Sequence, residues 1–180
     1  MIVEIGHYAL VLAFALALVQ SVLPIWGALT RDARLMAVAG PTALAQFLFV
    51  GVAFGVLTHA YMVSDFSVAN VYENSHSAKP DIFKISGVWG NHEGSMLLWV
   101  LILALSGAAV AAFGRNLPAT LKANVLAVQG WVASAFLLFV LATSNPFERL
   151  VPAPIEGRDL NPILQDIGLA VHPPLLYLGY

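Results

Sequence analysis

Four long stretches of this sequence contain no charged side chain, and they constrain its fold more than any other feature. Residues 5–30, 35–64, 94–114 and 123–147 lack Asp, Glu, Lys and Arg. A helix needs about 20 apolar residues to cross the hydrocarbon core of a bilayer, and each stretch is long enough. Charged residues make up only 10% of the chain and hydrophobic residues 59%, whereas soluble domains carry roughly 25% charge. We therefore predict an all-α integral membrane protein.

The predicted architecture is a polytopic helix bundle with four complete transmembrane helices and the start of a fifth. The spans cover about residues 5–29, 40–63, 94–113 and 124–143, and the fifth runs from residue 172 onward. The last apolar run continues to Tyr180 without a polar tail. We therefore interpret residues 1–180 as a single membrane domain that forms the N-terminal fragment of a larger polytopic protein.

The basic residues predict the orientation of these spans. Arg31 and Arg34 follow the first span, and the positive-inside rule places them in the cytoplasm. Alternation then puts the N-terminus and two long loops, residues 64–93 and 144–171, on the outer side. Loops of this length are usually functional, and these are too apolar for free disorder. We expect them to pack together or on the membrane face.

Composition excludes several classes of function. The net charge is −2, too small to indicate a nucleic-acid partner. The chain has no cysteine, so disulfides and thiolate metal sites are excluded. The polar side chains in the middle of the spans are Gln20, Gln46 and Gln129. None of them titrates, which argues against a proton- or ion-conducting subunit of a respiratory complex, because such subunits place charged groups there.

His172 is the strongest candidate for a metal ligand. It precedes Pro173 and Pro174. A residue before proline is disfavoured in the helical region, whereas proline suits a first helical turn, so we expect His172 at the rim of the fifth span. A neutral imidazole there could serve as an axial ligand of haem iron, and Arg149 and Arg158 could bind the propionates through two-pronged hydrogen bonds. The alternative is a histidine that only caps a proline-initiated helix.

The segment from Gly87 to Trp99 is the second candidate. His92-Glu93 invites comparison with the zinc motif H-E-x-x-H, but Met96 occupies the position of the second histidine, so that interpretation fails. Asn91 could cap a helix, and Glu93 would favour its positive N-terminal end. Trp89 and His92 would then belong either to a capping scaffold or to an edge that faces a ligand. Of the other histidines, His7 and His59 lie near span ends and His76 lies in a polar loop.

Four sequence blocks resemble the N-terminal part of the CcmF family, the large membrane subunits of the cytochrome c haem lyase. They are Trp89-Gly-Asn-His-Glu-Gly-Ser-Met-Leu-Leu-Trp99, Ser144-Asn-Pro-Phe-Glu-Arg149, Glu156-Gly-Arg-Asp-Leu-Asn-Pro162 and His172-Pro-Pro-Leu-Leu-Tyr177. The resemblance extends over the whole chain. It implies a multi-pass protein of the bacterial inner (plasma) membrane that functions in cytochrome c-type biogenesis.

The resemblance also implies a cargo and partners. The family receives haem transiently from a membrane haem chaperone and ligates it to apocytochrome c on the outer face, while thioredoxin-like lyase subunits present the apocytochrome. Two outer histidines hold the haem beneath a tryptophan-rich loop, and His172 matches the first of them. The loop, the second histidine and the pair that binds a membrane haem are absent from these 180 residues, so we expect no self-contained active site. A purely structural helical scaffold is the remaining alternative.

Overall fold

The protein is almost entirely helical in a computed structural model that describes residues 1–179. The helices are α1 (Ile2–Thr30), α2 (Ala33–Ala37), α3 (Ala39–Met62), α4 (Ala69–Asn74), α5 (Asp81–Gly87), α6 (His92–Phe113), α7 (Ala119–Thr143) and α8 (Ile167–Gly179), with a 3-10 turn at Pro162–Leu164. Tyr180, into which the predicted fifth span runs, lies outside the described residues.

The four predicted spans are confirmed as helices. The segments long and apolar enough to cross a membrane are Ile2–Thr30, Ala33–Met62, His92–Phe113 and Ala119–Thr143. Their ends lie close to the charge-free stretches. The second segment begins at Ala33 rather than at residue 40 because it includes the short helix α2, and α7 begins at Ala119 rather than at residue 124. The helix accommodates Lys122 in its first turn because the ammonium Nζ donates to the carbonyl of Ala111 at 2.7 Å, one of the carbonyls that the end of α6 leaves free.

Amide side chains join the helices in the middle of the bundle. α1 packs on α3 and α7, and α6 packs on the same two helices. Gln20 Nε2 donates to the Leu126 carbonyl at 2.8 Å and to Gln129 Oε1 at 3.2 Å, and Gln129 Nε2 donates to the Leu103 carbonyl at 2.6 Å. Lipid offers no hydrogen-bond partners, so these bonds fix α1, α6 and α7 against one another. Gln46 is fully buried, and neither of its amide atoms bonds any described residue.

The two long polar segments pack on each other, as predicted, and we call residues 64–91 and 144–166 together the loop cap. Val68 and Arg149 form an antiparallel bridge. The backbone hydrogen bonds between the segments include those from Ala69 N to the Glu148 carbonyl (2.9 Å), from Leu150 N to the Ser67 carbonyl (2.8 Å) and from Asp159 N to the Ser75 carbonyl (3.0 Å). The loop cap is therefore a folded layer at one end of the bundle.

A buried lysine joins the two halves of the loop cap. The side chain of Lys79 is only 1% exposed, and its Nζ lies 3.1 Å from Asp159 Oδ1 and 2.9 Å from the Asn74 carbonyl. Burial lowers the pKa of Lys79, because desolvation disfavours the charged form. Burial pushes the pKa of Asp159 up, but the Leu160 N–H and the Lys79 ammonium pull it down further, so the net pKa is below its ordinary value. The contact between Lys79 and Asp159 therefore joins the first half of the loop cap to the second.

The last helix differs from the prediction. His172 lies inside a continuous helix that begins at Ile167, so the expectation of a non-helical His172 followed by prolines in a first turn is wrong. Asp166 starts the helix earlier: its Oδ1 accepts from Leu169 N at 3.2 Å and its carbonyl from Ala170 N at 2.9 Å. Pro173 and Pro174 consequently lie in the helix interior, where each proline costs about 3 kcal/mol and lacks an N–H.

Candidate functional site

The candidate site is built on α8, whose two faces have different surroundings. Ala170 is buried and Tyr177 partly buried, whereas His172 is exposed. Successive residues turn by about 100°, so the His172 side chain leaves the axis about 160° away from that of Ala170. Three large apolar residues surround His172 on the exposed face: Leu169 (41% exposed), Leu175 (62%) and Leu176 (40%). The imidazole thus stands at the centre of an apolar surface.

Trp89 contacts the opposite face of α8. Its indole Nε1 donates a hydrogen bond to the Ala170 carbonyl at 2.8 Å. Its ring stacks on Phe54 of α3, with centroids 6.4 Å apart and planes inclined by 15°. Trp89 also lines a cleft of about 290 Å³ together with Pro173 and Tyr177. The indole N–H is thus bonded to protein backbone, and Trp89 joins α8 to the bundle.

His92 begins α6 and lines the same cleft as Trp89. Its Nε2 lies 3.2 Å from Ser144 Oγ, and its ring meets Phe139 edge-on at 6.1 Å between centroids. The side chain is exposed. Both candidates from the Gly87–Trp99 segment therefore lie beside α8, although the His172 side chain projects from the other face of that helix.

Arg149 is committed to carboxylates of this chain. Its Nη2 lies 2.7 Å from Glu4 Oε1 and its Nη1 lies 3.3 Å from Asp65 Oδ2, and Nη1 also bonds the Ser67 hydroxyl. These contacts join the start of α1 to both halves of the loop cap. A propionate would have to compete with two carboxylates for this guanidinium.

Arg158 has a different environment. Its guanidinium carbon lies 5.2 Å from the centroid of the Tyr72 ring, and its backbone N–H donates to the Tyr72 carbonyl at 2.7 Å. The residue is exposed, and it makes no ion pair with any residue in the range 1–179. Stacking on Tyr72 orients the planar guanidinium while leaving its donors available to an anion. Of the two arginines, Arg158 is the one whose guanidinium is not already paired with a carboxylate among residues 1–179.

A polar network under the loop cap was not predicted from the sequence. Tyr61 is fully buried, and its hydroxyl donates to Asn70 Oδ1 at 2.7 Å. Asn91 Nδ2 donates to the Tyr61 oxygen at 3.0 Å, while Asn70 Nδ2 donates to Asn91 Oδ1 at 2.8 Å and to Glu93 Oε2 at 3.2 Å. Asn91 also caps α6, as predicted, because its Oδ1 accepts from Gly94 N at 2.8 Å. The network fixes the Trp89–His92 segment to α3.

Within the described residues, no group of three or more His, Asp or Glu side chains could hold a metal ion by itself. His172 therefore offers one imidazole on an apolar surface. Such an imidazole could supply a single ligand to haem iron.

Comparison with known proteins agrees with this architecture. The family model described as "Cytochrome C assembly protein" matches residues 89–180, which include the Trp89 segment and α8. The chain is 71% identical over 180 residues to the cytochrome c-type biogenesis protein CycK of Bradyrhizobium diazoefficiens, covering 100% of this chain and 27% of that protein. It is 50% identical over 181 residues to the cytochrome c-type biogenesis protein CcmF of Escherichia coli, covering 100% of this chain and 28% of that protein.

A solved structure has the same fold. The protein titled "Cytochrome c Heme Lyase CcmF" superposes with a TM-score of 0.85 at 27% sequence identity, over 99% of this chain and 28% of that one. The chain thus spans a little more than a quarter of the length of the curated relatives it matches. The predicted resemblance is confirmed: this chain belongs to the cytochrome c assembly protein family and corresponds to the N-terminal portion of CcmF.

Proposed function

We propose that this chain is the part of a cytochrome c haem lyase subunit that provides one axial ligand, His172, to haem in transit. The observation that carries the proposal is the position of His172 at the centre of the exposed apolar face of α8. A porphyrin is flat and apolar over most of its area, so Leu169, Leu175 and Leu176 would lose contact with water when it binds. The imidazole would coordinate the iron.

Arg158 would bind a propionate of the same haem. Its guanidinium is oriented by the Tyr72 ring, and a planar guanidinium bonds a carboxylate through two parallel hydrogen bonds. Arg149 would instead keep the loop cap closed through Glu4 and Asp65. Trp89 and His92 would form the cleft behind α8 and support the helix that carries the ligand.

The membrane setting and the partners follow the family. Four apolar helices favour a multi-pass protein, and we propose the bacterial inner membrane with the loop cap on the periplasmic side. The haem would come from a membrane haem chaperone and leave on apocytochrome c, delivered by thioredoxin-like lyase subunits. The remaining part of a longer polypeptide would supply the second axial ligand, so residues 1–180 would form one membrane domain of it.

The test uses the full-length protein loaded with haem from its chaperone. His172→Ala should abolish the optical spectrum of the outer haem and stop cytochrome c maturation, because the iron loses an axial ligand. His59→Ala is the matched control, since His59 is also an exposed histidine on a helix but lies on α3. Normal spectra and maturation in His172→Ala would refute the proposal and favour a helical scaffold.

A further inference from the structure

α8 contains two successive backbone carbonyls whose helical donors are missing, those of Leu169 and Ala170. In a regular α-helix the N–H of residue i+4 bonds the carbonyl of residue i, so the Ala170 carbonyl would accept from residue 174. Residue 174 is Pro174, which has no N–H. Pro173 removes the corresponding donor from Leu169, so the helix has two such carbonyls in succession.

Trp89 provides the missing donor at one of these two carbonyls. Its indole Nε1 lies 2.8 Å from the Ala170 oxygen, and Ala170 itself is only 8% exposed. An unsatisfied buried carbonyl is costly, whereas a satisfied one stabilises the structure modestly. The bond between Trp89 and the Ala170 carbonyl therefore depends on Pro174, because any other residue at position 174 would donate its own N–H to the same oxygen.

Other contacts hold Trp89 and its neighbours in place against the bundle. Its ring is stacked on Phe54 of α3, and the next residue, Gly90, packs against Leu160, whose Cδ1 would lie 3.2 Å from a Cβ added at Gly90. The network of Asn70, Asn91 and Tyr61 holds the following turn. Trp89 thus connects α8 to α3 in the bundle. The other contacts of α8 are mainly with α5 and α6.

We propose that Trp89 is a positioning residue that fixes the rotation of α8 about its axis and thereby the direction of the His172 imidazole. The bond is made on the face about 160° from His172. A side-chain atom about 6 Å from the axis moves by roughly 2 Å when the helix turns by about 20°, whereas productive sites are held to about 0.5 Å. This inference rests on the proposed function only for what His172 binds. The hydrogen bond from Trp89 to Ala170, which we call the helix lock, does not depend on haem.

The test measures the effect of Trp89→Phe in three backgrounds of the full-length protein: wild type, Pro174→Ala and Pro173→Ala. Phenylalanine keeps the ring that stacks on Phe54 but lacks the N–H. Hydrogen exchange of the α8 amides without haem should show about a tenfold loss of protection in the wild-type background, about 1.4 kcal/mol, the size expected for one hydrogen bond.

The two proline backgrounds separate this bond from general helix stability. In Pro174→Ala, the new N–H satisfies the Ala170 carbonyl, so Trp89→Phe should change protection by less than about threefold. Pro173→Ala stabilises the helix similarly but provides no N–H to the Ala170 carbonyl. In that background Trp89→Phe should still reduce protection by about tenfold. An equal effect in all three backgrounds, or none in the wild type, would overturn the proposal.

A second measurement tests what the lock positions. In haem-loaded protein, Trp89→Phe should shift the absorption bands and the midpoint potential of the outer haem, and adding Pro174→Ala should leave both shifted, because a bond within α8 satisfies the Ala170 carbonyl without tying the helix to the bundle. If His172→Ala abolishes the spectrum but Trp89→Phe leaves it unchanged, the positioning claim fails although His172 is a ligand. If His172→Ala leaves the spectrum intact, the haem role of His172 fails while the exchange result still decides whether the lock exists.

Discussion

Asn91 offers a direct test of how the Trp89–His92 segment is held. Its Oδ1 accepts from Gly94 N at 2.8 Å and from Asn70 Nδ2 at 2.8 Å, and its Nδ2 donates to the Tyr61 hydroxyl at 3.0 Å and to the Gly87 carbonyl at 2.9 Å. Asn91→Ala removes all four bonds at once, and we expect it to destabilise the loop cap and the start of α6.

The magnitude follows from these contacts. Loss of an N-cap costs about 1 kcal/mol. The Tyr61 hydroxyl keeps its bond to Asn70 and Asn70 keeps Glu93, so the remaining losses amount to about one or two net hydrogen bonds, each worth about 1 kcal/mol. The free energy of unfolding should therefore fall by roughly 2–3 kcal/mol, or roughly 30- to 150-fold in the unfolding equilibrium.

The assay is equilibrium unfolding of the full-length protein in detergent micelles, followed by tryptophan fluorescence. Asn91→Ser keeps a capping oxygen and should recover about 1 kcal/mol of the loss. Asn124→Ala is the matched control, because Asn124 is an exposed asparagine in α7. If Asn91→Ala and Asn124→Ala unfold at the same denaturant concentration, the network does not stabilise the fold and this reasoning is wrong.

Two further predictions concern the loop cap and the bundle interior. The Ser77 hydroxyl and N–H hold the pKa of Glu156 at about 2, below its ordinary value of 4.5. The stability that this contact contributes is therefore complete above pH 4.5 and is lost as the pH falls towards 2. Hydrogen exchange at Ser77, corrected for the intrinsic rate, should show protection falling across that window, and Glu156→Gln should remove the pH dependence. Gln46→Leu should raise the free energy of unfolding by about 1–2 kcal/mol, because it replaces a buried amide that bonds no described residue with an apolar side chain of similar size; a lower unfolding midpoint for Gln46→Leu would show that the amide has a partner.

Local rules predicted the parts of this molecule that depend on neighbouring residues. The four spans follow from the charge-free stretches, and the cap at Asn91 follows from its place before an apolar helix; both are confirmed. The predicted start of α8 was wrong. The local rule for a residue before proline was overridden by the cap at Asp166 and by packing on α5 and α6.

Contacts between distant residues were beyond sequence reasoning. Trp89 bonds a carbonyl 81 residues away, and Arg149 bonds Glu4 145 residues away. Nothing in the local pattern around Arg149 distinguishes a partner carboxylate in the same chain from a propionate. The network of Tyr61 and Asn70 was missed for the same reason, since each residue taken alone is an ordinary polar side chain near a helix end.

The pairing within the loop cap also has a consequence for the order of biosynthesis. Ser77 and its partner Glu156 are 79 residues apart, and the helices α6 and α7 lie between them in the chain. At about 5–20 residues per second, the first half of the loop cap waits roughly 4–16 s for its partner while both helices insert into the membrane. The ion pair between Lys79 and Asp159 can therefore form only after both helices have been translated.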